Sequence, residues 1–246
     1  MPLGDWERLR LIKASAKAFI HYFLGDLPQA EEQNREAAAI ARLQGMDTHI
    51  TRHDRWLGLT LAEQGRLEEA GRLLTKPEAD WERQNVYFAL VGWVRHRLAV
   101  GDPQAAADGA RPVLLAADRF AALPACLDVA HEAFVAAGRG AEADQLLEAA
   151  AGGPHQDAFY HRMRGRSAAA AGAREEAEAA LRLALKGFDD AGYRLEAIRT
   201  RLLLAEVLQD GAMRDSARSD ARALGAWLLA GQPRPEPGIA VRHGGE

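Results

Sequence analysis

Trp56-Leu57-Gly58-Leu59-Thr60-Leu61-Ala62-Glu63-Gln64-Gly65-Arg66-Leu67-Glu68-Glu69-Ala70 closes one helix-forming run at Gly65 and opens another two residues later. Its core is a glycine followed five positions on by an alanine. The phrase returns at Gly25-Asp26-Leu27-Pro28-Gln29-Ala30 and at Gly101-Asp102-Pro103-Gln104-Ala105-Ala106, with looser copies from Gly138 to Ala143, Gly172 to Ala177 and Ala212 to Ala217. The anchoring alanines 30, 70, 106, 143, 177 and 217 therefore stand 40, 36, 37, 34 and 40 residues apart. A period in this range predicts stacked helical hairpins, each contacting only its neighbours, in an array that binds partners and rarely carries chemistry of its own.

Composition agrees. The 246 residues are rich in Ala, Leu, Glu and Arg, and show aliphatic steps of three and four (Leu57, Leu61; Leu67, Ala70, Leu73, Leu74) rather than alternation of period two. The expected fold class is all-α. A net charge of −4 argues for neither nucleic acid nor membrane. The single Cys126 excludes an internal disulfide and fits a reducing compartment. The start, Met1-Pro2-Leu3-Gly4-Asp5-Trp6-Glu7, lacks the pattern of a signal peptide. No apolar run approaches the ~20 residues of a bilayer span. The expected location is the cytoplasm.

Each unit reads as a helix A, a glycine turn and a helix B. The glycine supplies the left-handed residue that ends helix A. Asp26 with Pro28, Asp102 with Pro103, Glu68-Glu69, Glu142 and Glu175-Glu176 then suit the start of helix B. The alanine is small because helix A crosses close by. Gly58 and Gly165 each lie seven residues before their turn glycine; a glycine inside a helix costs about 1 kcal/mol relative to alanine, so close approach of a neighbouring helix is expected there.

The phrase W-L-G-x-x-L…G-x-x-x-x-A, carried by the second unit and in part by the fifth (Arg164-Gly165 through Ala177), resembles the tetratricopeptide repeat (TPR) family. The other units have Lys17-Ala18, Trp93-Val94, Ala130-His131 and Leu204-Ala205 in place of the Leu-Gly pair. The resemblance covers 5–231 and implies an α-solenoid of about six antiparallel helix-turn-helix repeats in a right-handed superhelix, with the A helices lining a concave groove. His161 through Leu208 also resembles the closing repeats of large bacterial transcriptional and signalling regulators. Residues 232–246, with Pro233, Pro235, Pro237, Gly244 and Gly245, read as a disordered tail.

Catalytic and metal constellations are weak. Gly138-Arg139-Gly140-Ala141-Glu142-Ala143 matches a dinucleotide fingerprint but follows a helix where that motif needs a strand. His49 and His53 share a helix face without the further ligands a zinc site requires. Cys126 near His131 reads as a small buried residue, not a nucleophile. The tryptophans 6, 56, 81, 93 and 227 read as packing residues. No metal, cofactor or enzymatic activity is expected.

The A helices lean basic, and the positions matching the family's groove are Arg52, Arg55, Arg95, Arg162, Arg166 and Arg199. Arginine forks suit carboxylates, which points to a protein or peptide partner, acidic in character. The alternative is a sensor of a small anionic effector that relays occupancy to an associated DNA-binding protein. Local ion pairs to Asp54, Glu63 or Glu206 are the plainer use of the same arginines. Direct nucleic-acid binding is not expected. Helix one is apolar nearly all round, and Leu224, Trp227, Leu228 and Leu229 lack a following hairpin. Docking or self-association through the amino-terminal helix is therefore expected, or membership of a longer array. All of this assumes an open inner curve; residues remote in sequence meeting at a shared centre would contradict it.

Overall fold

Left-handed residues punctuate the chain where the repeat phrase requires them: Gly25, Gly65, Gly101, Gly138 and Gly172 all have φ between 72° and 80°. The computed structural model describes residues 5–74, 83–117, 123–151 and 158–231. Among these it forms thirteen α-helices and no strand. They are α1 (Asp5–Leu24), α2 (Leu27–Leu43), α3 (Asp47–Glu63), α4 (Leu67–Leu73), α5 (Arg83–Ala99), α6 (Pro103–Leu115) and α7 (Pro124–Ala136). The remainder are α8 (Gly140–Ala151), α9 (Ala158–Ala170), α10 (Arg174–Asp190), α11 (Arg194–Leu208), α12 (Gly211–Ala223) and α13 (Trp227–Ala230). The expected tail at 232–246 and Trp81 lie outside the described residues.

Local chemistry starts the even-numbered helices as the sequence requires. Asp26 and Asp102 cap α2 and α6, accepting from Gln29 N and Ala105 N at 3.3 and 3.0 Å, with Pro28 and Pro103 in the first turns. The sixth turn falls earlier than the phrase at Ala212 predicts. Gln209 takes the left-handed conformation (φ 57°) and Asp210 caps α12 through Met213 N at 2.9 Å. An aspartate cap outweighs the small cost of left-handed glutamine, so the register shifts by three residues.

All six anchoring alanines are buried. Each helix packs on the next, and the odd-numbered helices α3, α5, α7, α9 and α11 also touch in series. The even-numbered helices thus back an inner odd-numbered layer. The helix-interior glycines mark close crossings, as expected. A Cβ on Gly58 would stand 2.8 Å from Leu74 Cγ, and one on Gly165 would stand 2.6 Å from Leu181 Cγ.

The inner curve is not open. α1 meets α11, and α13 meets α3, so the first and last described hairpins close on one another. Gly25 and Gly65 make this contact possible. A Cβ on Gly25 would lie 2.8 Å from Leu224 Cδ1, and one on Gly65 would lie 3.4 Å from Trp227 Cβ. Phe23 and Tyr193 pack with ring centroids 5.2 Å apart. Leu224 and Trp227, expected to want a following hairpin, are covered instead by the first two turns. Apolar surface at one end has been buried by the other, which removes it from water without a further repeat. No described helix is long and apolar enough to cross a membrane.

Candidate functional site

Because the inner helices surround a common centre, their inward polar side chains must satisfy one another there. Burying a charge is costly unless it is paired and hydrogen-bonded, and the sequence supplies pairs from helix to helix. Glu63 on α3, Asp128 on α7 and Glu196 on α11 alternate with Arg95 on α5 and Arg162 on α9; Arg199 on α11 and Arg166 on α9 complete the set.

Arg162, 1% exposed, is the hub. Its Nη2 donates to Asp128 Oδ2 and Glu196 Oε2, both at 2.6 Å, and its Nε donates to Asp128 Oδ1 at 3.2 Å. Nη1 reaches the Glu196 carbonyl at 3.3 Å and Thr200 Oγ1 at 3.5 Å. Phe188 and Phe159 lie against the guanidinium at 4.7 and 5.4 Å from their centroids. Arg199 donates to Glu196 Oε1 at 3.0 Å and, through Nη2, to Glu63. Arg95 donates to Glu196 Oε1 at 3.2 Å, and its Nε lies 3.6 Å from Glu63 Oε1, a distance too long for a hydrogen bond. Tyr22 on α1 donates to Glu63 at 3.3 Å, joining the first hairpin to the set.

The electrostatics follow from these contacts. Burial would raise the Asp128 carboxyl, yet Arg162 and Arg166 overcome that and hold it below its usual range. Glu196 is likewise held well down against burial by Arg199, Arg95 and Arg162. Four guanidinium groups thus meet three carboxylates directly, and Glu132 adds a further negative charge within electrostatic reach of Arg95.

Arg95, Arg162, Arg166 and Arg199 also border a cleft of about 290 Å³. Leu98, Leu202, Leu203, Leu228 and Leu229 form its apolar walls, with Glu132 and Glu206 beside them. Four of the six arginines expected at a groove therefore do come together, though buried against carboxylates and not spread along an exposed surface. Arg52 and Arg55 are half-buried on α3 and do not line this cleft. Arg162 is saturated internally. Arg166 makes its described bonds through Nη1 alone, to the Asp128 carbonyl and carboxylate and to His131 Nδ1 at 3.0 Å, leaving Nε and Nη2 without a described protein partner.

Sequence reasoning missed Asp128, Glu196, Tyr22 and Thr200, and placed Glu63 only in local pairs. One signal was present. Asp128 stands ten residues before its left-handed turn residue Gly138, the register that Arg55, Arg162 and Arg199 hold before Gly65, Gly172 and Gln209, so an acid occupies a position held by arginine in three other hairpins.

Two histidine constellations were also brought together. Ser15 Oγ and Asn34 Oδ1 lie 2.9 and 3.1 Å from the two ring nitrogens of His53, the arrangement of a nucleophile, base and orienting group. The chemistry does not follow. Ser15 also bonds the Leu11 carbonyl at 2.8 Å, Ser15 lines neither this cleft nor the larger one beside Phe159, and burial with nearby Arg52 lowers His53 to about 4, too weak a base near neutrality. His131 is held by Arg166 and by Ser167 Oγ at 2.9 Å, not by Cys126. No group of three or more metal-ligating side chains occurs among the described residues.

No family model, curated protein or solved structure matches the chain.

Proposed function

We propose that this chain is a non-catalytic binding module of TPR-like hairpins, about six in number, that recognises an apolar carboxylate in the cleft walled by leucines. One observation supports the reading: the Arg166 guanidinium, whose Nε and Nη2 have no described protein partner, borders a cleft whose walls are aliphatic. A single carboxylate suits the Nε and Nη2 edge of that guanidinium, and an aliphatic body suits the walls. Glu132 and Glu206 at the side disfavour a polyanion. A peptide carboxy terminus ending in Leu or Ile has this chemistry and continues the expectation of a peptide partner. A free branched or medium-chain fatty carboxylate has it too, which is the effector-sensing alternative. Signalling or transcription control in a bacterium is the setting that the resemblance implies.

Calorimetric titration of the full chain separates these sources. Heptapeptides ending in Leu should bind as free acids and fail as carboxamides. If short carboxylates bind and peptides do not, the module senses an effector. Leu203→Glu places a carboxylate in the cleft without removing a network member and should abolish either interaction while leaving the unliganded melting temperature within a few degrees. Equal binding of acid and amide, or undiminished binding by Leu203→Glu, would overturn the assignment.

A further inference from the structure

The amino-terminal helix carries a second surface, separate from the cleft. Leu11, Ala14, Ala18 and Tyr22 bury one side of α1. On the opposite side Trp6, Leu9, Ile12, Phe19, Ile20 and Leu24 are between 48% and 72% exposed. At 100° per residue, these side chains with Ala16 and half-buried Phe23 span an arc of about 140° along ~30 Å of helix, broken near one margin by Lys13. Six large apolar side chains on one exposed helix exceed the scatter normal for a monomer surface. Leu9, Ile12, Ala16, Phe19 and Phe23 step by three and four residues, with the smallest side chain at the middle, where a crossing helix comes closest.

The charges beside this seam select the partner. Lys13 and Lys17 edge it on one side and Arg8 on the other, all exposed, while Arg10 is shared with Glu36 at 3.3 Å. Arg8, Lys13 and Lys17 make no ion pair among the described residues, which leaves an excess of positive charge along the seam. A second copy would double that excess, and an antiparallel pair about the helix middle would set Lys13 against Lys17. A bilayer gains little from an alanine at the centre of the seam. We infer that the exposed face of α1 docks an acidic amphipathic helix of another protein, its apolar stripe along Leu9, Ile12, Ala16 and Phe19 and its carboxylates beside Lys13 and Lys17. One helix face is small against the ~800 Å² per partner of a stable interface, so the contact is of micromolar, salt-sensitive type.

The test uses the full chain and four probes. The first is an 18-residue helical peptide with Leu at i, i+3, i+4 and i+7 repeats and Glu on the flanks; the second replaces every Glu with Lys. The third is a vesicle of phosphatidylcholine and phosphatidylglycerol, and the fourth is the solution mass of the chain itself. The acidic peptide should bind, about tenfold more weakly at high than at low salt, and the basic peptide should not. Lys13→Glu/Lys17→Glu should lose the acidic peptide and gain the basic one. Leu9→Ser/Ile20→Ser should lose it without a change in melting. Equal binding of the two peptides, vesicle binding without peptide binding, or a dimer abolished by Leu9→Ser/Ile20→Ser in a chain that ignores the acidic peptide would each overturn the inference.

Discussion

Arg199 and Glu63 are 136 positions apart in the chain and form a buried ion pair. The pair ties α11 to α3 directly, and it exists only because the ends of the array meet. The same centre holds Arg95 against Glu196, 101 positions apart. Such pairs add little net stability over apolar packing, but they make any arrangement that separates them costly.

Breaking the hub should therefore be severe. Arg162→Met removes the two-pronged partner of Asp128 and one of three arginine partners of Glu196 in the interior, and should cost about 3–5 kcal/mol in urea unfolding. Arg182→Ala, which removes an exposed pair with Glu178, should stay within about 0.5 kcal/mol.

Acid should unfold the protein in two stages. Burial, with a nearby arginine in each case, lowers His53 to about 4 and His131 to about 3, against an ordinary 6.5. Between those values the unfolded chain binds protons that the folded one does not, so stability falls as pH drops from about 6.5 towards 4. Asp128 and Glu196, held below their ordinary values, continue the loss as pH falls further. His131→Gln should flatten the upper limb of a stability–pH curve and leave the lower one.

The glycine crossings should resist the smallest addition. Gly165→Ala drives a methyl against Leu181 and near the Ala177 carbonyl at 3.3 Å, and should cost about 1–3 kcal/mol despite better helix propensity. Gly140→Ala, with nothing within 4 Å and a negative φ, should be neutral or stabilising by up to ~1 kcal/mol in the same melts.

Cys126 should be inert while the protein is folded. It is fully buried, and burial pushes its thiol up to about 12. Labelling by a thiol reagent at neutral pH should proceed only at the rate of opening, and should become immediate in denaturant.

Closure can be read at a distance. Leu224→Ala empties the space against Gly25, and should speed amide hydrogen exchange at Asp26 and Arg66 as well as destabilise the chain by about 2 kcal/mol. Unchanged exchange in the first two turns would show that the ends do not depend on each other.

What the chain determined by itself was local and periodic. The all-α class, the five glycine turns, the Asp26 and Asp102 caps, the buried alanines and the crossings at Gly58 and Gly165 all follow from preferences that act within a turn or one hairpin. The shift of the sixth turn to Gln209 was legible in principle, since Asp210 is a strong cap. The gathering of Arg95, Arg162, Arg166 and Arg199 was half legible: their shared side of the inner helices could be read, but not their carboxylate partners. Pairing Glu63 with Arg199, or Leu224 with Gly25, depends on the curvature accumulated over every intervening hairpin. A small rotation at each step decides whether the ends meet, and no residue or spacing encodes that sum locally.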